Sequence, residues 1–194
     1  MTERVAAVVL AGGRSSRFGR DKLAEPIEGR TMLDHVIERL REVTSEIVVV
    51  AAAGATPDIA SDVDLVHDDM PFEGPLAGLV VGLRAVDPGV ERVIVVGGDM
   101  PTIVPAVLER LLAALERRQA AVLADVERAR PLPLAVRRSA GSEAADRLIE
   151  DGERRLRALL ERLDVDVIPP ERWREDDPAG ETLRDVDVPG DLPD

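Results

Sequence analysis

Six consecutive apolar residues, Val5 to Leu10, run directly into Ala11-Gly12-Gly13 and then into a loop carrying Arg14, Arg17, Arg20 and Lys22. An aliphatic run without the alternation of a half-exposed strand reads as a central strand covered on both faces. Such a strand needs helices above and below it, which places the chain in the α/β class.

The following segments keep that pattern. Thr31-Met32-Leu33-Asp34 has the form of a capping box, and Leu33, Val36, Ile37 and Leu40 recur at helical spacing. Ile47 to Val50 predicts a second strand and Leu65-Val66 a short third. Leu76, Leu79, Val80 and Leu83 mark a helix opened by Gly74-Pro75. Val93 to Val96 predicts a buried strand ending in Gly97-Gly98-Asp99-Met100-Pro101. Pro105 suits the first turn of a third helix through Leu108, Leu111, Leu112 and Leu115. Ala121 to Ala124 and Leu132 to Val136 read as strands, with Pro131 and Pro133 placing the second at an edge or a strand start. Helical patterns at Ala144 to Ile149 and Leu156 to Leu163 flank Gly152, and the charged run Glu150 to Arg157 reads as a solvated helix face. Val165 to Ile168 predicts a strand, and Pro169 to Gly180 a surface loop anchored by Trp173. Leu183 to Val188 predicts a last strand.

Composition narrows the class further. Hydrophobic residues make up 45% of the chain but aromatics only 2%, so the core is built from Val, Leu, Ile and Ala, as buried parallel strands require. The 194 residues suit one domain spanning 1–194, with no repeat or linker. A formal charge of −13 argues against nucleic acid or an anionic membrane as the main partner, yet leaves room for an anionic small molecule at a local basic loop. The absence of cysteine excludes disulfides, thiolate zinc sites and Cys nucleophiles. With no basic-then-apolar leader and no apolar run near ~18 residues, the expected location is the cytoplasm, in soluble form.

Four constellations carry chemistry. In the first, Gly12 and Gly13 after a strand allow a sharp turn that brings backbone N–H groups near an anion, with the four cations of the loop beside them. Lys22 is the only lysine among 25 basic residues. An ammonium is a compact point charge and a guanidinium a flat fork, so a site that sets one charge against one phosphate oxygen can demand Lys. The loop is neither G-x-G-x-x-G nor a P-loop, and anion binding is favoured over an ordinary turn with solvated arginines. The second is Asp99, at the carboxyl end of a buried strand where α/β folds bind ligands; it suits Mg²⁺ beside phosphates, or equally caps the next helix. Third, the glycines of Glu73-Gly74-Pro75-Leu76-Ala77-Gly78 let a ligand approach a helix start, with Asp68-Asp69 just before; a plain loop-to-helix junction explains them too. In the fourth, Asp185 and Asp187 alternate onto one face of a strand, as metal ligands or solvated edge residues. His35 and His67 lack a third ligand candidate and read as structural or surface residues.

Taken together, Leu10-Ala11-Gly12-Gly13-x-Ser15-x-Arg17-Phe18-Gly19-x-Asp21-Lys22, Gly74-Pro75-Leu76-Ala77-Gly78 and Gly98-Asp99-Met100-Pro101 resemble the molybdenum cofactor guanylyltransferase family in order and spacing. Leu132 to Val136, Gly152 to Leu156 and Asp185 to Pro189 resemble that family's later segments. The resemblance implies a single-domain, Rossmann-like, three-layer α/β/α fold with a mostly parallel mixed sheet. It implies a nucleotide-binding half at about 1–102 and an acceptor-binding half at about 103–194. The implied activity is Mg²⁺-dependent transfer of GMP from GTP to molybdenum-molybdopterin, with release of pyrophosphate. Leu10, Ala11, Gly12, Gly13, Lys22, Asp68, Gly78 and Asp99 would bind the nucleotide, Asp68 on the base side. Arg17, Lys22 and Asp99 would be catalytic, and Asp99, with Asp187 as a second candidate, would hold Mg²⁺. Implied partners are GTP and molybdopterin, with transient contact to molybdopterin-delivery or acceptor enzymes. Two positions depart from the family pattern. Ala51-Ala52-Ala53 stands where asparagines shape the base pocket, and Asp185-Val186-Asp187 replaces Asn-Val-Asn. A CTP-dependent molybdopterin cytidylyltransferase, a relative with another phosphorylated acceptor, and a catalytically inert nucleotide-binding module are the alternatives.

Overall fold

The computed structural model describes residues 4–12, 23, 26–27, 29–68, 74–126 and 128–184. Strand β1 (Val5–Leu10) is followed by a small hairpin, β2 (Pro26–Ile27) and β3 (Arg30–Thr31), and then by helix α1 (Met32–Arg41). Next come β4 (Glu46–Ala52), β5 (Asp64–Asp68), α2 (Pro75–Ala85), β6 (Arg92–Gly97) and α3 (Pro105–Ala114). The chain continues through β7 (Ala120–Ala124), β8 (Ala129–Arg137), α4 (Arg138–Glu150), α5 (Arg157–Leu160), β9 (Val165–Ile168) and α6 (Pro170–Trp173), with a 3₁₀ turn at Glu181–Leu183.

Seven strands form one sheet in the order β5-β4-β1-β6-β8-β7-β9. Only β8 runs against its neighbours; every other ladder is parallel. The sheet is therefore mixed and mostly parallel, as expected. Alternate residues of each strand feed two aliphatic cores. Ala7, Val9, Val49, Ile94 and Val96 pack under α1 and α3, whereas Ala6, Val8, Val48, Val93 and Val95 pack under α2, α4 and α5. Helices on both faces explain why β1 reads as one unbroken apolar run.

Local chemistry sets the helix ends. At α1 the Asp34 amide donates to the Thr31 hydroxyl at 3.0 Å, while the Thr31 amide donates to the Asp34 carboxylate at 3.0 Å, a complete capping box. In α2, Gly82 faces the sheet, where a Cβ would collide with Val8 Cγ1 and lie 3.1 Å from Val50 Cγ2. That glycine is what lets α2 settle close to β1 and β4.

The second half departs from sequence expectation in four places. β8 lies inside the sheet, so the edge reading fails, while Pro131 and Pro133 do fall toward the start of the strand. Its ladder with β6 covers only Leu134 to Arg137, and its register with β7 shifts between Val122 and Ala124. Pro131 and Pro133 thus fall where few ladder amides are required. Pro169 to Gly180 is not an open loop, because Pro170 starts the single turn of α6. Trp173 is its anchor, as expected: it is buried, and its indole N–H donates to the Ala124 carbonyl at 2.9 Å. Glu150 to Arg157 is not a helix face, since α4 ends at Glu150 and Gly152 reverses the chain at φ +82°. The predicted last strand begins with Leu183 in a 3₁₀ turn, and 185–188 lie outside the described residues.

Candidate active site

β1 is hydrogen-bonded to β4 on one side and to β6 on the other, so the order of connections reverses beside it. In an open α/β sheet the loops leaving the carboxyl ends of the strands at such a point splay apart and leave a crevice. A cavity of about 180 Å³ lies there, lined by Leu10, Gly12, Val50, Asp68, Gly74, Pro75, Gly78, Gly97, Asp99 and Leu132. Leu10 and Gly12 come from the end of β1, Asp68 from β5, Gly78 from α2 and Asp99 from the turn after β6. The sequence candidates Leu10, Gly12, Asp68, Gly78 and Asp99 thus converge on one crevice. Ala11 lies between the lining residues Leu10 and Gly12 and donates its amide to the Val50 carbonyl at 2.8 Å. Gly13, Arg17, Lys22 and Asp187 lie outside the described residues, as do Asp69, Glu73 and Asp185.

Several backbone features shape the crevice. The Gly98 amide donates to the Leu10 carbonyl at 3.1 Å, which ties the Asp99 turn to the end of β1. The carboxylate of Asp99 folds back over Gly97, whose Cα would carry a Cβ into Asp99 Oδ1. Met100 is buried and its sulfur accepts from the Gly97 amide at 3.4 Å, so the core holds this turn from below. Helix α3 starts later, with Val104 as its N-cap and no side-chain cap bond, so Asp99 is not a helix cap. Asp68 and Asp99 are both partly buried. His67 is structural, its Nε2 bonding the Ala55 carbonyl at 2.8 Å and joining β5 to the loop after β4.

The lining residues Gly74 and Pro75 are backed by a turn from the second half of the chain. Gly74 adopts φ +90°, and a Cβ there would lie 2.6 Å from the Arg154 carbonyl oxygen. The turn bearing Arg154 is organised by Glu153. Its carboxylate accepts from the amides of Arg154 at 2.8 Å and Arg155 at 2.9 Å, and from the Arg155 guanidinium at 2.7 Å. The Arg155 guanidinium and these amides hold the Glu153 carboxyl far below the usual carboxylate range. Neither this backing turn nor the lining residue Leu132 was among the sequence candidates. Gly74 and Arg154 stand too far apart in the chain for any local pattern to pair them.

A larger open groove, about 940 Å³, lies elsewhere, between α3 and the β9–α6 segment. It is lined by interleaved arginines and carboxylates, of which Arg110 pairs with Asp176. It lies away from the switch point and gathers none of the site candidates, so the smaller crevice is the candidate active site.

The fold and its crevice define a doubly wound α/β protein with a candidate ligand site at the topological switch point. The chain belongs to the MobA-like NTP transferase domain family, which matches residues 7–167, and so to a family of nucleotidyltransferases. A probable molybdenum cofactor guanylyltransferase of Chloroflexus aggregans is 34% identical over 198 residues, covering 97% of this chain and 91% of that protein. The crystal structure of molybdopterin-guanine dinucleotide biosynthesis protein A from Archaeoglobus fulgidus has a TM-score of 0.79 at 25% identity, over 96% of this chain and 94% of that one. Rv0371c from Mycobacterium tuberculosis, solved in complex with manganese, shares the fold at a TM-score of 0.66 and 21% identity, over 86% and 88% of the two chains. Among the described residues no helix is long and apolar enough to cross a membrane.

Proposed function

We propose that this protein transfers GMP from GTP to the terminal phosphate of molybdenum-molybdopterin and releases pyrophosphate. The observation that carries this reading is the convergence of Leu10, Gly12, Asp68, Gly78 and Asp99 on one crevice at the switch point. The names of the Chloroflexus and Archaeoglobus relatives support the molybdopterin acceptor and the guanine nucleotide.

Gly78 strengthens the reading. Its missing Cβ would lie 3.6 Å from Leu10 Cδ2 and 3.8 Å from Val50 Cγ1, ordinary contact distances. Protein packing therefore does not require glycine at 78, in contrast to Gly82. What the missing side chain keeps clear is the crevice itself, which a bound nucleotide would fill.

In this reading the acceptor's phosphate oxygen attacks the α-phosphorus of GTP in line. A new P–O–P bond forms as the bond between the α-phosphorus and the bridging oxygen to the β-phosphate breaks, and the electron pair leaves with pyrophosphate. A phosphate dianion is its own nucleophile, so no protein nucleophile is needed. Gly12 and Gly13 offer backbone amides to the nucleotide, Leu10 and Ala11 form the adjoining floor, and Asp68 accepts from the base. Arg17 holds the β- and γ-phosphates, and Lys22 sets a point charge against the α-phosphate as charge builds there.

The donor set fits magnesium. Among the described residues no group of three or more His, Cys, Asp or Glu side chains could cage a metal, while Asp99 presents a carboxylate to the crevice. One or two carboxylates completed by substrate phosphates and water are what Mg²⁺ commonly takes. Asp99 would hold the ion, with Asp187 as the second candidate, and the ion would neutralise phosphate charge and stabilise the departing pyrophosphate. The manganese bound by Rv0371c supports a divalent ion. In this reading the nucleotide occupies the half at about 1–102 and the acceptor the half at about 103–194, from which Leu132 reaches the crevice.

A second reading rests on the Ala51-Ala52 backbone, which lies against Gly12, with Ala52 N 3.4 Å from the Cβ position of that glycine. Alanine side chains cannot read a base edge, so a CTP-dependent molybdopterin cytidylyltransferase, or a relative with another phosphorylated acceptor, is the alternative. An inert nucleotide-binding module is the non-enzymatic one. Pyrophosphate release measured with each nucleoside triphosphate, Mg²⁺ and molybdopterin separates the three. GTP-dependent release supports the first reading, CTP-dependent release the second, and nucleotide binding without release the third.

A further inference from the structure

The turn that bears Asp99 is held from its far side by a buried polar clasp. The Thr102 hydroxyl donates to the Glu181 carbonyl at 2.9 Å, and the Val104 amide donates to the Thr182 hydroxyl at 3.2 Å. These bonds join the loop after β6 to a segment almost 80 residues further on. That segment is itself wound around one carboxylate: Asp177 accepts from the Glu181 amide at 3.0 Å through one oxygen and from the Thr182 amide at 2.7 Å through the other. Gly180, at φ +74°, turns the chain tightly enough to permit it.

Asp177 and Thr182 are the only polar or charged side chains fully buried among the described residues, at 3% and 0% exposure. Burying such groups is costly unless each is satisfied, and a satisfied buried network fixes one geometry. An apolar pair could have packed here without that requirement. The network spans from Asp177 to the two residues, Thr102 and Val104, that follow the Asp99 turn. On its inner side the turn is held by the Gly98–Leu10 bond and by Met100, whose carbonyl accepts from the Ile103 amide at 3.3 Å. The Asp99 turn is thus gripped between β1 and this clasp.

We infer that Asp177 and Thr182 are positioning residues that hold the Asp99 turn in the geometry needed to bind a divalent ion beside the nucleotide. The inference rests on Asp99 as metal ligand in the proposed function. It differs from a purely stabilising role in what it predicts for metal affinity.

The test is Mn²⁺ affinity of the full chain in complex with the non-hydrolysable analogue GMPCPP, read by electron paramagnetic resonance, beside melting temperature. Thr182→Val, which keeps the volume and removes the hydroxyl, should weaken Mn²⁺ binding roughly 10-fold or more, as loss of a ligand-orienting partner does. Thr182→Ser should restore it to within roughly 2-fold of wild type. Should Thr182→Val not fold, Thr102→Val at the partly buried end of the clasp carries the same expectation. Asp99→Ala separates the two layers. If it abolishes Mn²⁺ binding to the protein while a folded Thr182→Val or Thr102→Val leaves affinity unchanged, the clasp is only structural and the inference is overturned. If Asp99→Ala itself leaves Mn²⁺ affinity unchanged, the metal reading of Asp99 fails and the inference falls with it.

Discussion

The amide of Leu76 donates to the carbonyl of Arg154 at 3.4 Å, so a turn from the second half of the chain closes on the first turn of the helix that lines the crevice. Gly74 makes this approach possible, through its φ of +90° and its missing Cβ. Gly74→Ala should cost about 1–3 kcal/mol of stability, the range for a non-glycine residue forced into such a conformation. It should lower kcat/KM as well, because Gly74 itself lines the crevice. Thermal denaturation and steady-state kinetics check both.

Two glycines one helical turn apart in α2 should behave oppositely. Gly82→Ala drives a methyl into Val8 and should destabilise by about 1–3 kcal/mol, as overpacking does, with KM for nucleotide little changed in the folded fraction. Gly78→Ala meets only ordinary contacts, so stability should hold or rise by up to about 1 kcal/mol from helix propensity. Its methyl enters the crevice instead, and KM for the triphosphate should rise. A Gly78→Ala enzyme with unchanged KM would contradict the placement of nucleotide beside α2.

Glu153 gives the turn at Arg154 a pH dependence. Its carboxyl is depressed in the folded protein, first by the Arg155 guanidinium hydrogen bond and then by the two backbone amides. A depressed carboxyl contributes stability above the unfolded pKa, ~4.3, and loses it as pH falls toward the lower folded value. Glu153→Gln should therefore melt below wild type at pH 7, and the gap should narrow as pH falls below ~4. Melting temperatures of both proteins from pH 7 to pH 3 test this; a constant gap would mean the side chain acts by shape alone.

How much of this was readable beforehand follows from the range of the forces involved. The buried strand β1, the Thr31–Asp34 capping box and the aliphatic two-faced core come from neighbours in sequence, and their patterns are local. Gly12, Asp68, Gly78 and Asp99 were each visible as candidates, yet only the order of strands brings them together. The alternative of Asp99 as a helix cap failed because α3 starts at Pro105, beyond the reach of its side chain. Pro131 and Pro133 suggested an edge or a strand start because proline removes a ladder amide. β8 is instead interior, with a short β6 ladder and a register shift against β7. The contacts of Arg154 with Gly74 and of Thr182 with Val104 are long-range pairings that no local pattern announces.

The roles given to Lys22 and Asp99 predict that Lys22→Ala and Asp99→Ala each lower turnover by a factor on the order of 10² or more, with melting temperature near wild type. Lys22→Arg should stay well below wild type, since a planar fork does not replace a point charge. Folded variants that turn over at the wild-type rate would remove these residues from the mechanism.

Pyrophosphate release from wild-type protein given GTP, Mg²⁺ and molybdopterin, with CTP, ATP and UTP in parallel, decides whether this crevice transfers GMP. GMP transfer requires release with GTP that needs both Mg²⁺ and the acceptor. Release with CTP alone, or none with any of the four, would contradict it.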